Sequence, residues 1–239
     1  MYKIIRKLLG KLNIVLALTL VVVMAGGLGG ATYVLASSTS NFTQTINAGT
    51  LAVDIVDGTT YATVGSPTMA MSAATFSFAC QTKTGSFGTA SESIYVSNPD
   101  AADNGWAVSL AGTATSSVWA SVGTDFDFND GGGSGCTDTV DAQDTDAVGG
   151  QMTVDPSVGT LAIGQCASCV TTNVTKGSSD AFNAVTGPVN TITILTGAAA
   201  SDDIGDWKLT GVSISQKIPA EQPAASDYNI NMVLSIAAS

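Results

Sequence analysis

Apolar side chains recur at every second residue through much of this chain. The longest run lies near the C-terminus, where Tyr228, Ile230, Met232, Leu234 and Ile236 share one face and Asn229, Asn231 and Ser235 the other. Successive side chains of an extended strand point to opposite faces, so this pattern buries one side of a β-strand and cannot form one stripe on a helix. Leu51, Val53 and Ile55 repeat it, as do Trp106, Val108 and Leu110, and Ile192 and Ile194. With Phe42–Ile46, Thr75–Ala79, Ser93–Ser97 and Gln151–Asp155 the chain offers roughly eight to ten short strands separated by Gly, Ser, Asn and Asp turns. The predicted fold class is all-β: an antiparallel β-sandwich of jelly-roll or immunoglobulin-like kind.

Two irregularities refine that expectation. In Asp206–Ile218 the apolar phase set by Trp207 and Leu209 resumes one residue out of step on Val212 and Ile214, which predicts a β-bulge at Gly211. Between residues 124 and 176 the apolar pattern thins while Gly, Asp and Thr rise, which reads as a long Gly/Asp-rich insertion in a single domain spanning 37–239.

The N-terminus obeys a different rule. Lys3, Arg6, Lys7 and Lys11 precede an almost wholly apolar run from Ile14 to Leu28, and Val34-Leu-Ala36 places apolar or small residues before a cleavage point. Residues 1–36 therefore read as a helical signal peptide, with an uncleaved anchor as the alternative. Export to the cell surface or the extracellular medium follows, and no mature membrane span is expected beyond it.

Those four residues are half of the chain's basic side chains. The body after residue 36 keeps four basic against nineteen acidic residues, a net charge of −15. Such a surface repels phosphates, so no nucleic-acid partner is expected, and it favours polyvalent cations. Only 11% of the chain is charged, against about 25% in an ordinary soluble protein.

Four cysteines, Cys80, Cys136, Cys166 and Cys169, in an exported chain predict two disulfides. Three pairings are open. The one that would best tie the polar middle segment to the core joins Cys80 and Cys136 each to one member of the Cys166/Cys169 pair. A thioredoxin-like role for Cys166-Ala-Ser-Cys169 would call for a helix opening at the motif in a βαβ setting, which the pattern lacks.

Eight aspartates fall between Asp125 and Asp155 with no lysine or arginine among them. Asp125, Asp127, Asn129 and Asp130 place oxygens at close spacing before Gly131, a donor set suited to calcium, which takes six to eight oxygen ligands. A solvated loop is the plainer account. The chain has no histidine, so Ser-His-Asp and Cys-His arrangements and His-based zinc sites are excluded, and no enzyme activity is expected. Trp119 is the tryptophan whose setting best suits contact with a polysaccharide, since Trp106 and Trp207 sit in apolar strand phases.

Two stretches carry a resemblance. Phe42-Thr-Gln-Thr-Ile46-Asn-Ala-Gly49-Thr-Leu51-Ala-Val53-Asp-Ile55, directly after a signal peptide, resembles the start of mature camelysin/TasA-like proteins, secreted bacterial proteins that build extracellular fibres. Asn104-Gly-Trp106-Ala-Val-Ser-Leu110 and the ending Tyr228-Asn-Ile-Asn-Met-Val-Leu234 resemble WxL-domain proteins of bacterial cell walls, with Val108 and Met232 standing where that family's motif has other letters. The resemblance implies a surface β-sandwich whose partners are itself or other cell-surface proteins, with peptidoglycan or polysaccharide as the alternative. Phe42, Ile46, Leu51, Val53 and Ile55 would then form an assembly strand.

Overall fold

The computed structural model describes residues 2–29, 43–45, 47, 49–99, 104–138, 148–184 and 188–239. Two compact units divide the chain, Met1–Ile46 and Asn47–Ser239. The first contains helix α1 (Tyr2–Gly29), in which Lys3–Met24 is long and apolar enough to cross a membrane, as a signal sequence is. Its described side chains are exposed all round. From Ile14 onward its residues are apolar almost all round, leaving no polar side to turn to water, which suits lipid or the export machinery. Residue 36 and the expected strand residues Phe42 and Ile46 lie outside the described residues.

The second unit is built from strands, all paired antiparallel: β1 (Ala52–Val56), β2 (Gln81–Phe87), β3 (Ser93–Asn98), β4 (Trp106–Gly112), β5 (Val118–Trp119), β6 (Phe126–Asp127), β7 (Met152–Asp155), β8 (Thr160–Ile163), β9 (Val174–Lys176), β10 (Asp180–Ala181), β11 (Thr191–Gly197), β12 (Gly205–Thr210), β13 (Val212–Ile218) and β14 (Met232–Ala238). Three four-stranded sheets run in the orders β1-β3-β12-β8, β10-β7-β13-β2 and β14-β4-β11-β9, with β5 and β6 as a separate pair. Ile94, Val96, Trp207 and Leu209 from the first sheet meet Met152, Val154, Val212 and Ile214 from the second and Trp106, Val108, Leu110, Ile192 and Ile194 from the third in one apolar core. The fold is the all-β sandwich expected, preceded by a signal-like helix.

Two details depart from the sequence pattern. The slip at Gly211 is a change of sheet: β12 belongs to the first sheet and β13 to the second. Gly211 has φ +74° and its N–H donates to the carbonyl of Gly88, itself at φ +84°. Two facing left-handed residues let the β2–β3 and β12–β13 ribbon turn from one sheet into the other, and glycine adopts that conformation without a Cβ penalty. The true bulge lies in β11, where the register with β4 shifts between Thr193 and Leu195 and both Ile194 and Leu195 enter the core.

Residues 124–176 are more than a decoration. β7, β8 and β9 each join a different sheet. Thr75–Ala79 is not a strand; Phe76 and Phe78 point out with their rings 5.1 Å apart, at 50% and 80% exposure. Alternation there lacks the neighbouring strand that would bury it.

The disulfides join Cys80 to Cys136 and Cys166 to Cys169, which corrects the crossed pairing. Cys166 and Cys169 face each other across one tight turn, where the Cys169 N–H donates to the Cys166 carbonyl. The acidic loop is tied back instead by Cys136, bonded to the residue that precedes β2. In the chain-entropy account a bond across 56 residues contributes about 4 kcal/mol and one across three about 2.

Trp207 is fully buried and its ring centroid lies 5.4 Å from that of Trp106 on the third sheet. We expect Trp207→Ala to cost about 3–5 kcal/mol in urea unfolding followed by circular dichroism. A loss below 1 kcal/mol would show that the contact between the sheets is dispensable.

Candidate functional site

The sandwich is open along one side. β1 and β14, edge strands of the first and third sheets, run near each other without hydrogen bonding. Between them lies a groove of about 550 Å³, lined by Val53, Ile55, Phe87, Leu110, Trp119, Ile214, Ile230 and Leu234 among others. The alternating apolar face running from Tyr228 and Ile230 into β14 is half-buried: it packs against the core, with Tyr228 5.1 Å from Phe126, and borders the groove. Val53 and Ile55 line the groove and Leu51 packs against the core, but β1 already pairs with β3 over its whole length. Its outer side is engaged at Ile55, whose carbonyl accepts from the Val64 N–H. The outer side of β2 is likewise met by Ser72, whose N–H donates to the Thr84 carbonyl. The outer edge of β14 pairs with no strand among the described residues.

Trp119 does not present an open face. It is 8% exposed, stacks on Phe126 at 5.9 Å, and donates its indole N–H to the Gln216 side chain at 2.9 Å. All three tryptophans are buried, and among the described residues the exposed large aromatics are Phe76 and Phe78, which strand periodicity disguised.

The acidic loop brings together part of the expected set. Carboxylate oxygens of Asp127, Asp130 and Asp138 lie within 4.8 Å of one another, with Asp127 at 1% and Asp130 at 0% exposure. Asp125 is outside this group and accepts instead from the Ser121 N–H at 2.9 Å. Asn129 donates its amide to the Thr115 carbonyl at 2.8 Å. Asp138 was beyond the reach of local spacing, because the turn through residues 132–135 folds it back. Asp141, Asp144 and Asp146 lie outside the described residues. Carboxylates this close repel in a water-poor setting, and a cation relieves that repulsion. Oxygens about 2.4 Å from a calcium ion can be at most about 4.8 Å apart, so this donor set fits within one coordination sphere.

A third cluster was not foreseen. Asp206 on β12 is 6% exposed and accepts from the Tyr95 hydroxyl at 2.5 Å and the backbone N–H groups of Gln165 at 2.6 Å and Cys166 at 2.8 Å. Lys208 pairs with Tyr95 across β12 and β3, which makes Asp206 and Tyr95 diagonal neighbours on one face. Gly164 leaves room for the carboxylate, since a Cβ there would fall 2.2 Å from it. The two sulfurs of Cys166 and Cys169 lie within 4.8 Å of an Asp206 oxygen. Bonded to each other, they offer no thiolate to a metal.

Comparison with protein-family models, with curated proteins and with solved structures gives no match to this chain.

Burial and the hydrogen bond to Asp206 push the Tyr95 phenol up to about 12 from its ordinary value near 10. The folded state therefore holds this proton more tightly than the unfolded state. The stabilisation is complete below about pH 10 and is lost as pH rises towards about 12. An ultraviolet titration of the folded protein should show one tyrosine ionising near pH 12, moving back towards 10 in Asp206→Asn; an unmoved titration would separate the two groups.

Proposed function

We propose that this chain is a non-enzymatic, exported structural or interaction protein of the cell surface that associates with copies of itself through sheet edges. The observation that carries this reading is the open side of the sandwich, where an unpaired edge on β14 borders a groove floored by core residues. An extended segment laid there would gain main-chain hydrogen bonds from the edge and place alternate side chains in the groove. The segment proposed to enter is the stretch around Phe42 and Ile46 from a second copy, whose Phe-x-x-x-Ile spacing puts both side chains on one strand face. The resemblance to camelysin/TasA-like fibre proteins supports the same reading. The N-terminal signal-like helix and two disulfides fit export to an oxidising compartment.

The acidic loop has a supporting part in this proposal. A calcium ion held by Asp127, Asp130 and Asp138 would fix the loop that Cys136 staples beside β2. A second reading, a cell-wall or polysaccharide-binding module of WxL-like kind with a calcium-stabilised loop, is favoured by the exposed Phe76–Phe78 pair.

Light scattering after size-exclusion chromatography tests the assembly. Deleting Asn41–Ile46, or introducing Leu234→Asp in the groove, should each abolish oligomers while leaving the circular dichroism of a folded monomer. Oligomers unchanged in both variants would sink edge-strand assembly, and a native protein that is monomeric throughout would leave the binding-module reading. For the loop, thermal melting in calcium and then in chelator should show a higher melting temperature with calcium. That difference should vanish in Asp127→Asn and Asp130→Asn; identical melting of the native protein in both buffers would remove calcium from the proposal.

A further inference from the structure

The Cys166-Ala-Ser-Cys169 turn is held in place by bonds that do not involve sulfur. At its start the Gln165 and Cys166 N–H groups donate to Asp206. At its end the Val170 N–H donates to the Asp202 carboxylate at 2.7 Å, and the Val170 carbonyl accepts from the buried Trp207 indole at 2.9 Å. Opening the disulfide would leave both ends anchored. The bond closes the shortest ring that two cysteines in a Cys-x-x-Cys motif can form, so it removes little freedom from the unfolded chain compared with Cys80–Cys136. As a staple it is the weaker of the two.

The two sulfur positions are unequal. Cys169 is 8% exposed and buried beneath the turn, while Cys166 is half-buried and followed by exposed Ala167 and Ser168. An incoming thiolate therefore meets Cys166 first. The Asp206 carboxylate within 4.8 Å disfavours a second negative charge on either sulfur. A reduced form with unfavourable thiolates gives up electrons readily, so the carboxylate poises the pair towards the disulfide.

We propose that Cys166 and Cys169 form a reversible dithiol–disulfide couple that exchanges with thiols of exported proteins or small neutral and cationic thiols. In the first step the attacking thiolate forms a bond to the Cys166 sulfur, the Cys166–Cys169 bond breaks, and its electron pair leaves on Cys169, which takes up the proton the attacking thiol lost. In the second, another thiolate attacks the outer sulfur of the mixed disulfide and releases Cys166, which is protonated in turn. Two thiols become one disulfide, and the pair gains two electrons and two protons. The reverse sequence reduces a partner's disulfide. The local carboxylates Asp202 and Asp206 and the acidic body select against anionic thiols.

The test uses the full oxidised chain, equilibrated with cysteamine or with glutathione, then alkylated and mapped by peptide mass spectrometry. Cys166 and Cys169 should become labelled in a protein that stays folded, its melting temperature lower by only a few degrees, and a reduced, unalkylated sample should return to the disulfide when cystamine is supplied as the oxidant. Cysteamine should react roughly tenfold faster than glutathione. Given cystamine, the disulfide of cysteamine, Cys169→Ser should form a lasting mixed disulfide on Cys166 with release of one cysteamine, and Cys166→Ser should form none at that exposed position. In the reduced protein, Asp206→Asn should move the pH profile of Cys166 alkylation to lower pH, which loss of packing alone would not do. Labelling that appears only with global unfolding, or a Cys169→Ser variant that forms no adduct, would overturn the proposal.

Discussion

The structure depends on the contact between Trp106 and Trp207, where the sheet containing β12 meets the sheet containing β4. Both indoles are almost wholly buried, and each lies over a glycine: a Cβ on Gly197 would fall 2.4 Å from the Trp106 ring, and one on Gly205 2.7 Å from that of Trp207. Large rings seated on bare backbone let the sheets approach while filling the space between them. The same strand carries consequences to its other side. Asp206, next to Trp207, faces outward and gathers Tyr95 and the Cys166 turn, while the Trp207 indole N–H holds the Val170 carbonyl at the far end of that turn. One dipeptide thus locks the core and organises a surface cluster.

Much of this was legible in the alternation of apolar residues, because a strand's two faces are written directly into its sequence. β1 and β4 lie within a residue or two of Leu51–Ile55 and Trp106–Leu110, while the last strand begins at Met232, four residues after Tyr228, and runs on to Ala238. The pattern records which face is apolar and not whether a neighbour exists, so Thr75–Ala79 looked like a strand while Phe76 and Phe78 stand in solvent. It also records a change of phase without its cause, so the crossing between sheets at Gly211 looked like a bulge and the bulge at Ile194 went unseen.

The clusters were less legible for a related reason. Asp127 and Asp130 were suggested by local spacing, but Asp138 joins them through a reversal of the chain that short-range spacing does not describe. Asp206, Tyr95 and Cys166 come from three distant segments brought together by the β3–β12 pairing and the loop after β8. The burial of Trp119 was not legible because the residues two places either side of it, Ser117 and Ser121, are polar, whereas its neighbours in space are Phe126 and Gln216. The sheet edges differ in the same three-dimensional way: residues 62–64 and 71–72 guard β1 and β2, and the described chain leaves β14 unguarded.

The Cys80–Cys136 bond also sets how the protein would respond to tension. A chain pulled between the start of β1 and the end of β14 unravels strand by strand, but the residues between these two cysteines lie outside the line of force while the bond holds. A span of 56 residues, which could extend to roughly 190 Å, is replaced in that line by a Cα–Cα separation of 5.8 Å. The enclosed strands β2, β3 and β4 include partners of β1, β13, β12, β11 and β14, so the looped region cannot be drawn out as slack. Reduction of this one bond would release that length, and the protein would change from a short, stiff body under load into a much longer extensible one.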